Sequence, residues 1–133
     1  MNIKKIIPLV LRIAAALILL QILYFKFTAH PESVALFTKL GVEPWGRIGT
    51  GVFELIAGIL LLLPPTVFAG ALTGIGLMSG AIFSHLTIIG VDSAGDGGQL
   101  FILAIIVWIC CAVLLWIYRA QGQKMYQSIA ANK

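Results

Sequence analysis

Gly46 to Pro65 reads GRIGTGVFELIAGILLLLPP: an apolar and small-residue run with one carboxylate, Glu54, set well inside it and two prolines at its end. A lone acid in hydrocarbon costs about 2.5–3.5 kcal/mol on insertion scales, so it survives where it faces a partner within the protein. The run is long enough to cross a bilayer, and the rest of the chain has to supply what Glu54 faces.

Three further blocks have the same character. With 60% hydrophobic and 11% charged residues in 133 positions, and a mean hydropathy of +1.04, the chain is too apolar for a water-soluble domain. Spans are expected at about residues 6–28, 44–63, 66–89 and 98–118, followed by a tail over residues 119–133. The fold class is all-α, an integral membrane four-helix bundle forming one domain. No room remains for a soluble catalytic domain. The formal charge of +4 comes from cations scattered at block edges instead of gathered in a patch, which excludes nucleic acid as a partner.

Charge sets orientation. Lys4, Lys5, Arg119, Lys124 and Lys133 flank the outer ends of the chain, against Lys26, Lys39 and Arg47 around the first long loop. This bias places both termini in the cytoplasm. Lys4 and Lys5 before an apolar run suggest a signal peptide, but the run is too long, Arg12 interrupts it and Thr28-Ala29-His30 is a poor cleavage site, so it reads as an uncleaved span. The two cysteines, Cys110 and Cys111, are adjacent and mid-span, with no CxxC, and read as structural.

The first span carries Arg12 and Lys26 on one stripe with Ala15, Leu19 and Ile22. Arg12 lies near enough to the cytoplasmic end to snorkel to headgroups, while Lys26 is placed to reach inward. The loop after it contains a short interfacial helix: Pro31 and Glu32 open it, Val34, Phe37 and Leu40 share a face, and Gly41 closes it. Trp45 reads as an interfacial anchor. In the second span Gly51, Glu54 and Gly58 share a face with Ala57 beside them, so Glu54 points into the bundle. Pro64 and Pro65 end that span, and Thr66 is expected to cap the next. The third span presents Gly70, Gly74, Ala81 and Ser84, and brings His85 inward on the Met78 and Ala81 face about 6 Å from its outer end. Asp96 caps the last span, which Gln99 begins. Phe101 and Trp108 read as packing, and Trp116, Tyr118 and Arg119 as a second anchor.

Lys26, Glu54, His85 and Gln99 thus come from four spans to one level in the outer half. A Lys26–Glu54 contact holds both charged, and histidine is the side chain whose ordinary titration falls near neutral pH. Two readings of the cluster stand. It is a structural ion pair and hydrogen-bond network that fixes the register of a small bundle. Alternatively it is a pocket where Glu54 and His85 act catalytically as proton carriers and Lys26, Glu54, His85 and Gln99 bind a lipid-soluble molecule such as a quinone, with Arg12, Trp45 and Asp96 as structural supports. His30 and His85 have no ligand spacing, so no metal is expected. A small-solute transporter has little room in four short spans with no helix broken at mid-membrane.

The chain also resembles DoxX-like membrane proteins of bacteria. The residues concerned are Tyr24-Phe25-Lys26-Phe27, His30-Pro31-Glu32-Ser33 through Gly41, Glu43-Pro44-Trp45-Gly46-Arg47, Phe53-Glu54-Leu55, Gly80-Ala81-Ile82-Phe83-Ser84-His85-Leu86-Thr87 and Gly95-Asp96-Gly97-Gly98. The resemblance implies a four-helix inner-membrane protein of the kind named after a subunit of an archaeal thiosulfate:quinone oxidoreductase. It implies an accessory role in a quinone-linked redox or oxidative-stress complex, with a partner subunit or a second copy of the chain. No haem ligand pair or flavin motif is visible, so no redox centre of its own and no covalently bound cofactor are expected. The alternative is a membrane scaffold that is not an enzyme.

Overall fold

A computed structural model describes residues 3–92 and 96–131, leaving Gly95 of the Gly95–Gly98 turn and Lys133 of the tail outside the described residues. Six helices follow in order: α1 Ile3–Phe27, α2 Pro31–Leu40, α3 Trp45–Leu62, α4 Val67–Ser84, α5 Gln99–Ile117 and α6 Arg119–Ala131. No strand occurs among the described residues. Four helical segments, Ile3–Phe27, Trp45–Leu62, Pro64–Ile89 and Gln99–Ile117, are long and apolar enough to cross a membrane, and the chain is an all-α multi-pass membrane protein.

The spans form a closed ring in which α1 packs on α3, α3 on α4, α4 on α5 and α5 back on α1. One end of the ring holds the start of α1, the helix α6 and the α3–α4 turn; the other is covered by α2. The dense core lies toward the terminal end, where Ala15, Ala16, Leu19, Ala57, Leu61 and Leu114 interlock. Alternation of small and branched side chains lets backbones approach there, which drives helix association where no water is being expelled.

Gly70 shows how close that approach is. A β-carbon there would sit 2.7 Å from the Leu61 nitrogen and 3.0 Å from the Leu60 carbonyl carbon, both backbone atoms that cannot step aside. Gly76 and Gly80, on the adjoining face, have open space. Gly70→Ala is therefore expected to destabilise the fold by about 1–3 kcal/mol through overpacking. Gly76→Ala should be neutral or add up to about 1 kcal/mol from its better helix propensity. Thermal unfolding in detergent separates the two, and equal effects would contradict the packing at Gly70.

The helix ends explain two departures from the sequence reading. Arg12 does not run out to headgroups: it is buried at 8% exposure, its Nε donates to Leu61 O at 2.8 Å and its Nη2 to Leu62 O at 2.8 Å. α3 stops at Leu62 before two prolines, so its last carbonyls lack helical donors, and the guanidinium supplies them. Thr66 does not cap α4; its hydroxyl donates back to Leu60 O at 2.9 Å, closing the same helix end. The α4 N-terminus is capped instead by Gln121 of α6, whose Oε1 accepts from Phe68 N at 2.8 Å while its Nε2 donates to Pro64 O at 2.8 Å. The tail is thus a helix pinned to the α3–α4 turn.

At the opposite end α2 begins at His30, whose Nδ1 accepts from Glu32 N at 3.3 Å, and ends in a left-handed Gly41 with φ of 78°. Val42 N donates to Phe37 O and Gly41 N to Thr38 O, both at 3.0 Å, a Schellman closure that satisfies the last carbonyls. The short helix is present as expected, but Phe37 is buried against the bundle, so α2 acts as a roof. The third span also differs from a plain helix. After Ser84 it widens into one π-helical turn, His85–Ile89, closed by Gly90 N donating to His85 O at 2.8 Å.

Candidate functional site

Beneath α2 the four spans part around a cavity of about 590 Å³. Lys26 from α1, Glu54 from α3, His85 from the π turn and Gln99 from α5 all line it, together with Asp96 and Trp45 near its mouth. The remaining wall is mostly apolar, including Phe25, Leu36, Phe37, Met78, Leu100 and Leu103. Helical periodicity puts Gly51, Glu54, Ala57 and Gly58 on one buried face of α3, and Arg12, Ala15, Leu19 and Ile22 on the buried face of α1 beneath Lys26.

Glu54 is 2% exposed and forms an ion pair with Lys26 through Oε1. Its other oxygen, Oε2, is buried and accepts no hydrogen bond from the described residues. The Lys26 ammonium lies 5.7 Å from the Phe37 ring centroid, within cation–π range, so the roof helix touches the pair directly. A hydrogen bond also ties the roof down, from Lys39 Nζ to Ile89 O at 3.3 Å.

Arg47 is the residue the sequence reading undervalued, counted toward membrane orientation and within the Glu43–Arg47 stretch but given no part in the site. It is 7% exposed; Nε meets both Glu43 oxygens at 2.9 and 3.0 Å, and Nη1 donates to the Lys26 carbonyl. The Lys26 backbone is held from α3 by Arg47 while its side chain is held by Glu54, about two helical turns further along α3. The signal present in the sequence was the opposite charges of Glu43 and Arg47 four positions apart, although Glu43 precedes α3 and the pair closes across the start of that helix. Two cations and two carboxylates together leave the cluster electrically neutral.

His85 is 3% exposed but forms no hydrogen bond to Lys26 or Glu54 among the described residues. Its Nδ1 lies 3.0 Å from Gly90 O and its ring packs on Phe101 at 5.7 Å between centroids. Sharing one cavity, and not one hydrogen-bond chain, is therefore what joins the imidazole to the ion pair. The carbonyl of Gly90 can only accept, so in the neutral ring the proton sits on Nδ1 and Nε2 is left as an acceptor. The π turn sets this geometry by bringing Gly90 back over His85.

Gln99 is exposed at the rim and Trp45 is 70% exposed, fitting a boundary side chain. Asp96 Oδ1 accepts from Gly98 N at 2.8 Å and Oδ2 from Leu100 N at 3.1 Å, opening α5 as its position suggests. Arg119 stacks on Trp116 at 4.3 Å at the far end, and Trp108 Nε1 donates to Ser79 Oγ at 3.0 Å on the outer face.

Chemically, the arrangement offers a small-molecule-sized apolar chamber, at a volume within the usual range of about 300–1,000 Å³, with a few polar atoms on its wall. Among family models, the one described as the DoxX-like family matches residues 10–114, which contain α2, α3 and α4 whole and most of α1 and α5. No curated protein and no solved structure matches the chain.

Proposed function

Because the chain belongs to the DoxX-like family, we propose that its roofed cavity receives the ring of a membrane quinone as part of a quinone-linked redox or oxidative-stress complex. The observation that carries this reading is a buried carboxylate with one oxygen that accepts no hydrogen bond from the described residues, on the wall of an apolar chamber wide enough for a substituted ring. A charged group that only fixed helix register would gain by having both oxygens bonded. Lys26 and Gln99 border the chamber beside the ring, while Glu54 and His85 supply acceptors and proton carriers. The chain is an accessory subunit that positions the quinone; the electrons come from a partner subunit, in a bacterial inner membrane with both termini in the cytoplasm and the cavity in the outer half.

Ala81 tests this cleanly, since it lines the chamber and is only partly buried. Ala81→Trp should fill the chamber and weaken binding of a short-tailed benzoquinone by about a hundredfold or more, while the thermal unfolding of the purified chain stays close to wild type. Calorimetric titration in detergent measures the first and a melting curve the second. Unchanged binding in the variant would reject the cavity as the quinone site.

A second reading has its own observation. Glu54 to Lys26, and Arg47 to the Lys26 carbonyl, clamp α1 to α3 at the roofed end, as a purely structural network in a scaffold protein would. Under it no quinone binds wild type at all.

A further inference from the structure

The polar atoms on the cavity wall are not balanced between donors and acceptors. Glu54 Oε1 is taken by Lys26, but Oε2 has no donor from the described residues and a carboxylate can only accept. His85 directs Nδ1 at the Gly90 carbonyl, leaving Nε2 of the neutral ring as a second acceptor with no hydrogen bond from the described residues. Of the donors on the wall, Lys26 faces Glu54 and the Phe37 ring, Gln21 and Gln99 are exposed, and Ser33 belongs to the roof helix α2. Thr50, also on the wall, donates its hydroxyl to Gly46 O at 2.8 Å.

From this imbalance we infer that the cavity selects a ligand bearing hydroxyl donors, so that, on the quinone reading above, the reduced dihydroxy form binds in preference to the oxidised form. A hydroquinone carries O–H groups on opposite sides of its ring and can donate to Glu54 and His85, which come from α3 and from the π turn after α4. The oxidised ring carries only carbonyl acceptors, which would set two oxygens of like partial charge against Glu54 Oε2 and His85 Nε2. An acceptor placed against a buried acceptor leaves both without a hydrogen bond, whereas O–H to carboxylate is among the stronger hydrogen bonds in proteins. Electron transfer is not required for this discrimination; it is a property of the resting site.

The test compares three probes on purified full-length wild type in detergent under anaerobic conditions: a decyl hydroquinone, the matching decyl benzoquinone, and the dimethyl ether of the hydroquinone. The hydroquinone is expected to bind about tenfold tighter or better than either of the others, the factor that one charge-assisted hydrogen bond supplies. Glu54→Gln should narrow the hydroquinone-to-benzoquinone ratio to about threefold or less, because an amide offers a donor as well as an acceptor. If that variant fails to fold, the wild-type comparison with the dimethyl ether decides alone. Equal affinity for all three probes, still abolished by Ala81→Trp, would overturn the donor preference while leaving the cavity as a quinone site. No binding of any probe would overturn both.

Discussion

Lys26→Met is expected to lower the unfolding free energy by about 3–5 kcal/mol, because it strands the Glu54 carboxylate in a site that is 2% exposed with no cation beside it. The loss arises from the abandoned acid more than from the missing lysine. Removing the acid as well should therefore recover part of it: the Lys26→Met, Glu54→Gln double variant is expected to be more stable than the sum of the single losses by about 1–3 kcal/mol. Arg47 sharpens the effect, since its hydrogen bond to the Lys26 carbonyl fixes the α1 backbone and prevents another side chain from swinging into place. Chemical denaturation of the three variants in detergent gives the coupling. Strictly additive losses would mean that the pair carries no energy of its own.

Arg12→Met should cost about 2–4 kcal/mol, through two charge-assisted hydrogen bonds to the final carbonyls of α3. Those carbonyls cannot turn to a following helical turn, because Pro64 and Pro65 break the chain there and contribute no N–H. Arg12→Lys keeps the charge near the negative end of the α3 dipole but offers no planar fork, so it should restore less than half of the loss. Denaturation curves of the two variants check this ordering, and equal stability of Arg12→Met and wild type would remove Arg12 from the structural core.

Most of the architecture was legible because membranes simplify the physics. Apolar block length is tied to bilayer thickness, so the spans could be placed within a few residues of α1, α3, α4 and α5. Facing was legible where polar and small residues recur with the helical period: Gly51, Glu54 and Gly58 on α3, and Arg12 through Lys26 on α1, are on the faces that period assigns. The partner of Glu54 followed from matching depth along antiparallel helices.

What escaped the sequence has a common cause, which is hydrogen bonding between residues distant in the chain or off the helical repeat. The π turn at His85–Ile89 differs from a continued α-helix by one residue of slip, and nothing in HLTII marks it. It nevertheless sets which nitrogen of His85 is engaged. Gln121 capping α4 joins positions 53 apart, and a glutamine in a polar tail gives no hint of that. Arg12 was legible as a cation in a span, but the carbonyls it serves became visible only once α1 and α3 were placed side by side. The roof was half legible: the helix and its apolar face could be read, while its position over the cavity depends on Phe37 meeting Lys26 and on Lys39 reaching Ile89.

The most direct test of a ligand site beneath α2 is native mass spectrometry of the full chain released gently from its own membrane. A wild-type population carrying a lipophilic adduct of quinone mass, absent from Ala81→Trp prepared in parallel, is the expected result. Wild type that flies as the bare chain, or with the same adducts as the filled-cavity variant, would contradict it.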